Sequence, residues 1–172
     1  MDPRPTILVV EDEPEIRRFL RSSLEAEGYR VAESATARRG VIDAGTHKPD
    51  VVIVDLGLPD FDGIEVVRQV RQWSSVPIVI LSARAQERSK IAAFEAGADD
   101  YVTKPFGIAE LLARIKVALR HAVRGRTGDA GLRFDAATVD LERRVATRDG
   151  EPLHLTPLEF RLLAALARHR GM

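Results

Sequence analysis

No cysteine occurs anywhere in the chain, which excludes disulfides and thiolate metal sites. Apolar stretches are short, and none approaches the ~18 residues that a membrane-crossing helix requires. The N-terminus, Met-Asp-Pro-Arg-Pro, has neither the basic start nor the apolar centre of a secretory signal. A soluble, cytoplasmic protein with no membrane partner is the expectation. Charge of one sign does not dominate either, because 26 basic residues face 26 acidic ones. The balance shifts slightly along the chain: residues 1–120 hold 17 basic and 19 acidic residues, and residues 121–172 hold 9 and 7. That is a faint pointer to a basic, partner-binding second part, and alone it does not imply nucleic acid. No Gly-x-Gly-x-x-Gly follows a strand-like run, which disfavours a dinucleotide enzyme.

What the chain does have is a set of short apolar runs that end in polar groups. Its 172 residues allow one full domain and a remainder, since domains most often run to ~100–150 residues. Residues 51–59, Val-Val-Ile-Val-Asp-Leu-Gly-Leu-Pro, pass from a β-branched run straight into Asp55 and turn chemistry. Such a run reads as a strand buried on both faces, as in parallel sheets. Runs at 6–10, 29–33, 76–81 and 100–103 alternate with helical patterns. Ile16, Phe19, Leu20 and Leu24 form one apolar face stopped by Gly28, and a helix over 36–45 is closed by Gly45 and Pro49. Ile64, Val67, Val70 and Arg71 lie on a third helix, and a fourth covers 86–96 and stops at Gly97. Ile108, Leu111, Leu112, Ile115 and Leu119 share a face of the fifth. Five strands alternating with five helices predict an α/β doubly wound parallel sheet. Right-handed crossovers favour the strand order 2-1-3-4-5.

Residues 121–131, with glycines at 125, 128 and 131 among arginines, read as a linker between domains at 1–120 and 132–172. Short segments at 132–134, 138–141, 144–147 and 153–155 are split by Asp/Gly turns, including Asp149-Gly150, and predict a small antiparallel meander. Thr156-Pro157 opens a helix with Thr156 as N-cap and Glu159 three residues on. Leu158, Leu162, Leu163 and Leu166 are expected to face inward. About 40 residues are too few for a self-sufficient core, so this unit is expected to be incomplete.

In the order 2-1-3-4-5, strands one, three and four are neighbours. Their ends deliver Glu11 and Asp12, Asp55, and Ser82 to one rim, with Lys104 arriving from strand five. Carboxylates packed together repel, and a hard divalent cation with oxygen ligands relieves the repulsion. Mg²⁺, which takes one or two carboxylates, a carbonyl and waters, suits such a site. An Asp nucleophile can form an aspartyl phosphate while a metal and a lysine neutralise the developing charge. Each residue alone has a simpler role. Asp12 could cap the helix opened by Glu13-Pro14-Glu15, Asp55 could form a turn before Gly57, Ser82 could be an N-cap and Lys104 a solvated lysine. Their joint arrival at the strand ends of one sheet selects the site.

The residues Val10-Glu11-Asp12, Asp55-Leu-Gly-Leu-Pro59 with Asp62-Gly63, Ser82-Ala83 and Lys104-Pro105-Phe106 together resemble the receiver domain of two-component response regulators, over residues 5–120. The resemblance implies Asp55 as the phosphoacceptor, and Glu11, Asp12, Asp55 and the Gly57 carbonyl as the groups of a Mg²⁺ site. It implies Ser82 as the switch hydroxyl with Ala83 beside it, Lys104 as the phosphate-pairing cation and Tyr101 as the switching aromatic. A cis bond is expected before Pro105. Bulkier residues are common where this chain has Gly57, and the carbonyl ligand survives that departure. A sensor histidine kinase is the implied donor, which makes the chain a signalling protein and not an enzyme.

A phosphoryl group can report itself only by biasing two states. Movement of the Ser82 hydroxyl would vacate space into which Tyr101 turns, changing the face made by helix four, strand five and helix five. Lys90, Ile91, Phe94, Asp99, Asp100, Glu110, Arg114 and Lys116 fall on that face. Glu110 and Arg114 are i,i+4 and can pair within one helix. The resemblance implies instead an isologous homodimer, with Lys90–Glu110 and Asp100–Arg114 pairs across a two-fold axis.

Residues 132–172, with Leu155-Thr-Pro-Leu-Glu-Phe-Arg-Leu-Leu163, resemble the start of the winged-helix effector domain of OmpR/PhoB-type regulators. That implies promoter DNA as a partner of the full-length form, with only the entry sheet and first helix expected here. Arg168 and His169 could touch phosphates or sit solvated at a helix end. Leu56-Gly-Leu-Pro-Asp60, Gln72-Trp-Ser-Ser-Val-Pro77 and Lys104-Pro-Phe-Gly-Ile108 are similar to the branch of that family that governs potassium transport. An aspartyl-phosphate phosphatase of the haloacid dehalogenase type is the enzyme alternative. That family carries Asp-x-Asp-x-Thr after its first strand, whereas here position 57 is Gly and Asp55 follows the third. A receiver acting through protein contacts alone is the other alternative.

Overall fold

Short β-branched runs become strands when both of their faces can be covered, and this chain covers them. The computed structural model describes residues 4–126, 131–134, 137–140 and 144–168. Strands β1 (Thr6–Val10), β2 (Arg30–Ser34), β3 (Val51–Asp55), β4 (Ile78–Ser82) and β5 (Asp100–Thr103) pair in parallel in the expected order, β2-β1-β3-β4-β5. Successive side chains leave a strand on opposite faces, so each central strand feeds two cores. On one side Leu8, Val10, Val52, Val54, Ile78 and Ile80 pack with buried residues of α2 (Ala37–His47), α3 (Gly63–Arg71) and α4 (Glu87–Ala96). On the other, Ile7, Val9, Val51, Ile53, Val79 and Leu81 meet Leu20, Leu24, Leu111 and Ile115 of α1 (Pro14–Ala26) and α5 (Ile108–Arg126). Each such side chain removed from water contributes about 1.5–3 kcal/mol. Two-sided burial therefore makes β1, β3 and β4 the rigid centre on which the rim stands.

Several details differ from the sequence expectation. Helix α2 runs through Gly45 to His47 and ends where Lys48 takes up left-handed backbone at φ 46°. Gly45 is therefore not the stop; it lies inside the helix beside the Trp73 ring, with room for a Cβ at 3.7 Å. Helix α5 continues to Arg126, through the first part of the expected linker. One glycine costs a helix only about 1 kcal/mol, and Leu111, Ile115, Ala118 and Leu119 dock this one on the sheet. The rest of that linker, residues 127–130, lies outside the described residues. Phe19, expected inward, is 50% exposed and meets Phe106 with ring centroids 6.3 Å apart.

Strands β6 (Gly131–Phe134), β7 (Ala137–Asp140), β8 (Val145–Arg148) and β9 (Glu151–Leu153) form the expected antiparallel meander. Asp149 (φ 52°) and Gly150 (φ 85°) are both left-handed, the type I′ geometry that two-residue hairpins favour. Helix α6 (Pro157–Arg168) opens with the reciprocal cap. Thr156 N donates to Glu159 Oε2 at 2.8 Å and Glu159 N to Thr156 Oγ1 at 3.2 Å. Only part of the expected leucine stripe faces inward. Phe160, with Leu163 beside it, packs on Val139 and Ala146, and Leu158 and Leu162 are 50% and 64% exposed. The large Phe160 ring sets the rotation of the helix. The side chains of Leu166 and Arg168, and His169 altogether, lie outside the described residues. Among the described residues no helix is long and apolar enough to cross a membrane.

Gly63 opens α3 beneath the rim, where a Cβ would stand 2.2 Å from the Asp55 carbonyl oxygen and 2.9 Å from Leu56 Cα. Backbone cannot give way as the tip of a side chain can. Gly63→Ala should therefore destabilise the protein by roughly 2–4 kcal/mol, read as a lower midpoint in urea unfolding. A loss under about 0.5 kcal/mol would show that the β3–α3 turn relaxes freely.

Candidate functional site

In-register parallel pairing brings three strand ends to one edge. Val10 lies opposite Val54, Asp55 opposite Leu81, and Ser82 opposite Thr103. The next residues out are Glu11 and Asp12 after β1 and Lys104 after β5, so the five groups expected at the rim are all there. Glu11 is 1% exposed, and Asp55 and Ser82 are also buried. Ligand oxygens of Glu11, Asp12 and Asp55 lie within 4.8 Å of one another. Lys104 Nζ donates to Glu11 Oε2 at 2.9 Å and stands 3.4 Å from Asp55 Oδ1. Asp12 and Ser82 are not at N-cap positions: Glu13 stands there before α1 and Gln86 before α4, neither with a side-chain cap bond.

The electrostatics follow from crowding and burial. Burial raises the Glu11 carboxyl above its usual range and the nearby Asp55 charge adds to this, while hydrogen bonds from Lys104 and Glu13 offset part of it. Burial also works against the Lys104 ammonium, yet the hydrogen bond to Glu11 and the charges of Asp55 and Glu11 outweigh it and raise Lys104. Three acidic groups against one ammonium leave the pocket negative. All of the side-chain donors to an ion here are carboxylate oxygens, the set that suits a hard divalent cation.

Several residues that sequence reasoning did not single out hold the rim in place. Arg17 donates from α1 to the carbonyls of Glu11 and Asp12 at 2.8 and 2.9 Å, fixing the backbone under the acidic pair. Asp60 accepts the N–H groups of Ala37 and Arg38, both at 2.8 Å, and so ties the β3–α3 loop to the start of α2. Burial opposes ionisation here, but together these two bonds and those from the Asp60 and Phe61 backbone outweigh it and hold the Asp60 carboxyl below its ordinary range. Asp62 caps α3 through Ile64 N at 2.9 Å and takes Arg84 at 2.8 Å. Arg84 N in turn donates to Ser82 Oγ at 3.1 Å. Asp60 and Asp62 stood in the sequence only inside the motifs that carry the resemblance, without a role of their own, and Arg17 carried no signal.

The remaining predicted residues are distributed as follows. Tyr101 is buried, and its hydroxyl donates to the Arg84 carbonyl at 2.5 Å. Lys90 lies 5.9 Å from the centre of that ring, and Phe94 lies 6.4 Å from it. The Lys104–Pro105 peptide is cis. Ala83, exposed beside Lys104, lines an open groove of about 570 Å³ with Ile16, Phe19, Pro105 and Phe106. On the α4–β5–α5 face Ile91 is 46% exposed. Arg114 bridges Asp100 at 2.8 and 3.0 Å and Glu110 at 3.1 Å within the single chain, and Lys116 lies 3.8 Å from Glu27. Asp99 is taken by Arg71 at 2.7 Å and by Arg144 at 2.7 Å.

Comparison with known proteins bears on this geometry. The family model described as the response regulator receiver domain matches residues 7–116. The chain is 56% identical over 165 residues to the KDP operon transcriptional regulatory protein KdpE of Escherichia coli K12, covering 96% of this chain and 73% of that protein. It is 45% identical over 166 residues to the transcriptional regulatory protein KdpE of Mycobacterium tuberculosis H37Rv, covering 96% of this chain and 74% of that one. The crystal structure of the response regulator DrrB, a Thermotoga maritima OmpR/PhoB homologue, matches with a TM-score of 0.66 at 30% identity, covering 98% of this chain and 75% of its own.

The raised Glu11 carboxyl has a consequence for stability with a definite sign. A folded-state pKa above the unfolded one favours folding at low pH, and the benefit is lost as pH rises through the raised folded value. The unfolding free energy of the parent minus that of Glu11→Gln, measured in urea, should therefore fall as pH rises from the ordinary carboxylate range through that value. A difference that grows with pH over the same window would mean that pairing with Lys104 outweighs burial.

Proposed function

This chain belongs to the response regulator receiver family, and on that premise we propose that the Asp55 carboxylate accepts a phosphoryl group from a sensor histidine kinase. The observation that carries the reading is the arrangement of Asp55, with Oδ1 3.4 Å from the Lys104 ammonium inside the Glu11–Asp12–Asp55 cluster. Asp55 Oδ2 lies on the Gly57 side of the pocket, where even an added Cβ would stand 3.7 Å away, and the reading assigns the attack to this oxygen. Oδ2 attacks the phosphorus of a phosphohistidine, the P–N bond breaks, and the histidine leaves with its electron pair. Lys104 stays beside the new acyl phosphate and balances its charge. Glu11, Asp12, Asp55 and the Gly57 carbonyl would hold Mg²⁺, which supplies further neutralisation of the transferring group.

In this reading Ser82 turns its hydroxyl from Arg84 N toward a phosphoryl oxygen. Because Tyr101 is anchored on the Arg84 carbonyl, a shift of the β4–α4 loop is felt on the α4–β5–α5 face. Two copies then pair through that face, with Arg114 exchanging its own Asp100 for the partner subunit's. Residues 1–120 serve as the receiver, 121–131 as the connection, and 132–172 as the first part of a winged-helix effector. The likeness to KdpE proteins supports a transcriptional regulator that binds promoter DNA in its full-length form, with potassium-transport genes as its targets.

Two measurements test this. After incubation with Mg²⁺ and acetyl phosphate, intact-mass analysis should show one added phosphate, and Asp55→Asn should abolish it; an Asp55→Asn variant that still loads would sink the assignment. Arg114→Ala should weaken the phosphorylated dimer by about tenfold in sedimentation, and dimerisation equal to the parent's would exclude this face.

A further inference from the structure

Helix α2 carries an acid inside the protein. Asp43 is 3% exposed, and its Oδ2 accepts the Ser34 hydroxyl at 2.8 Å and Arg39 Nε at 3.1 Å. Oδ1 lies 3.0 Å from the Arg39 guanidinium, yet among the described residues it is the buried side-chain oxygen that no hydrogen bond satisfies. A carboxylate held this way costs stability that an apolar side chain would not, so the acid is kept for what it holds. That is Ser34, the last residue of β2 and the only buried one in that strand. Ser34 lies opposite Val10 in the ladder, and its carbonyl accepts Glu11 N at 3.0 Å.

The same helix meets the end of β1 a second time. Gly40 lies so close to Val10 that a Cβ would stand 2.8 Å from both of its methyl carbons. At its start α2 is bound to the other flank of the pocket, where Asp60 takes the N–H groups of Ala37 and Arg38, each at 2.8 Å. One helix thus touches the residue before Glu11, the strand end on which the Glu11 N–H hangs, and the loop that follows Asp55. Strand β2 is an edge of the sheet, so its end has no second neighbouring strand to hold it. The Asp43–Ser34 bond stands in for that neighbour.

Glu11 is where this brace acts. Its carboxylate is fixed by Lys104 on Oε2 and by Glu13 N on Oε1, at 2.9 and 3.2 Å, and its carbonyl by Arg17. Its N–H depends on Ser34. Groups that orient a metal ligand from behind commonly govern affinity by about 10–100-fold. Asp43 and Ser34 belong to no part of the acidic cluster itself, so they are positioning residues. We propose that Asp43, acting through Ser34, positions Glu11 for the divalent cation of the acidic pocket, so that α2 sets the affinity of that pocket for Mg²⁺. The inference rests on the Mg²⁺ site of the proposed function.

The test compares Ser34→Ala, Asp43→Ala and Asp43→Asn with the parent, each as the whole chain. Calorimetric titration with Mg²⁺ alone reads cation affinity, and amide hydrogen exchange across 8–13 in the metal-free chain reads the end of β1. Loading by acetyl phosphate at varied Mg²⁺, followed by intact mass, separates half-saturation from limiting rate, and urea unfolding reads stability. Ser34→Ala and Asp43→Ala should weaken Mg²⁺ by about tenfold and speed exchange at Glu11. Half-saturation should move by the same factor while the limiting rate stays at the parent's. Asp43→Asn, whose side-chain oxygen still accepts the Ser34 hydroxyl, should restore most of the affinity. Ser34→Ala with a lower urea midpoint but the parent's Mg²⁺ affinity overturns the proposal, as does an Asp43→Asn variant no better than Asp43→Ala. If Asp43→Ala does not fold, Ser34→Ala, which loses one hydroxyl, decides alone. A parent that binds Mg²⁺ but takes up no phosphate overturns the phosphoacceptor reading, and the Mg²⁺ titrations still decide the brace. A parent that binds no Mg²⁺ overturns both.

Discussion

Lys104 reaches back across the sheet to an acid 93 residues earlier in the chain, and the pocket depends on that contact. A buried ionised carboxylate without a partner is expensive, and removing one member of a buried pair commonly costs several kcal/mol. Glu11 is as buried as the apolar core around it, so it needs the ammonium. Lys104 sits 2.9 Å from Glu11 and 3.4 Å from Asp55, closer to the more deeply buried acid. One cation thus satisfies the buried group and leaves Asp55 incompletely neutralised. A site of this kind is stable enough to form and still negative enough to attract a dication.

The arrangement holds only while four loops stay in register, and the loops are held by side chains bonding to backbone. Arg17 grips the β1–α1 turn, Asp60 and Asp62 fix the β3–α3 loop, and Tyr101 and Ser82 both engage Arg84 on the β4–α4 loop. None of these bonds is individually large, since a typical one contributes about 1 kcal/mol net. They act in parallel on backbone that the two hydrophobic layers cannot reach. The apolar core gives the rim its height and these bonds give it its shape.

Much of this was legible in the sequence because it depends on local period and order. Buried-strand runs such as 51–55, the stops at Gly28 and Gly97, and parallel topology together dictate which strand ends meet, and that sufficed to place Glu11, Asp12, Asp55, Ser82 and Lys104. What escaped depends on contacts between distant segments. Gly45 looked like a helix stop because nothing local says that Trp73 will lie over it. The leucine stripe of α6 looked inward because the packing of Phe160 on Val139 and Ala146 is decided by the other side of the sheet. Arg71 was placed on the third helix with no role, and its buried guanidinium makes sense only once the Gly97 turn and Asp99 are brought beside it. Charge pairs on the α4–β5–α5 face were equally ambiguous, since Arg114 has partners both within its helix and on the neighbouring strand.

Gly57 leaves bare backbone beside the free oxygen of Asp55. An acyl phosphate is a high-energy mixed anhydride, and whatever admits a donor to it along that side admits solvent by the same path. A phosphoryl group on Asp55, as proposed, would have no side chain at position 57 to shield it. On the proposed reading, a glycine at this position would leave the acyl phosphate exposed to water and shorten the life of the signal it carries.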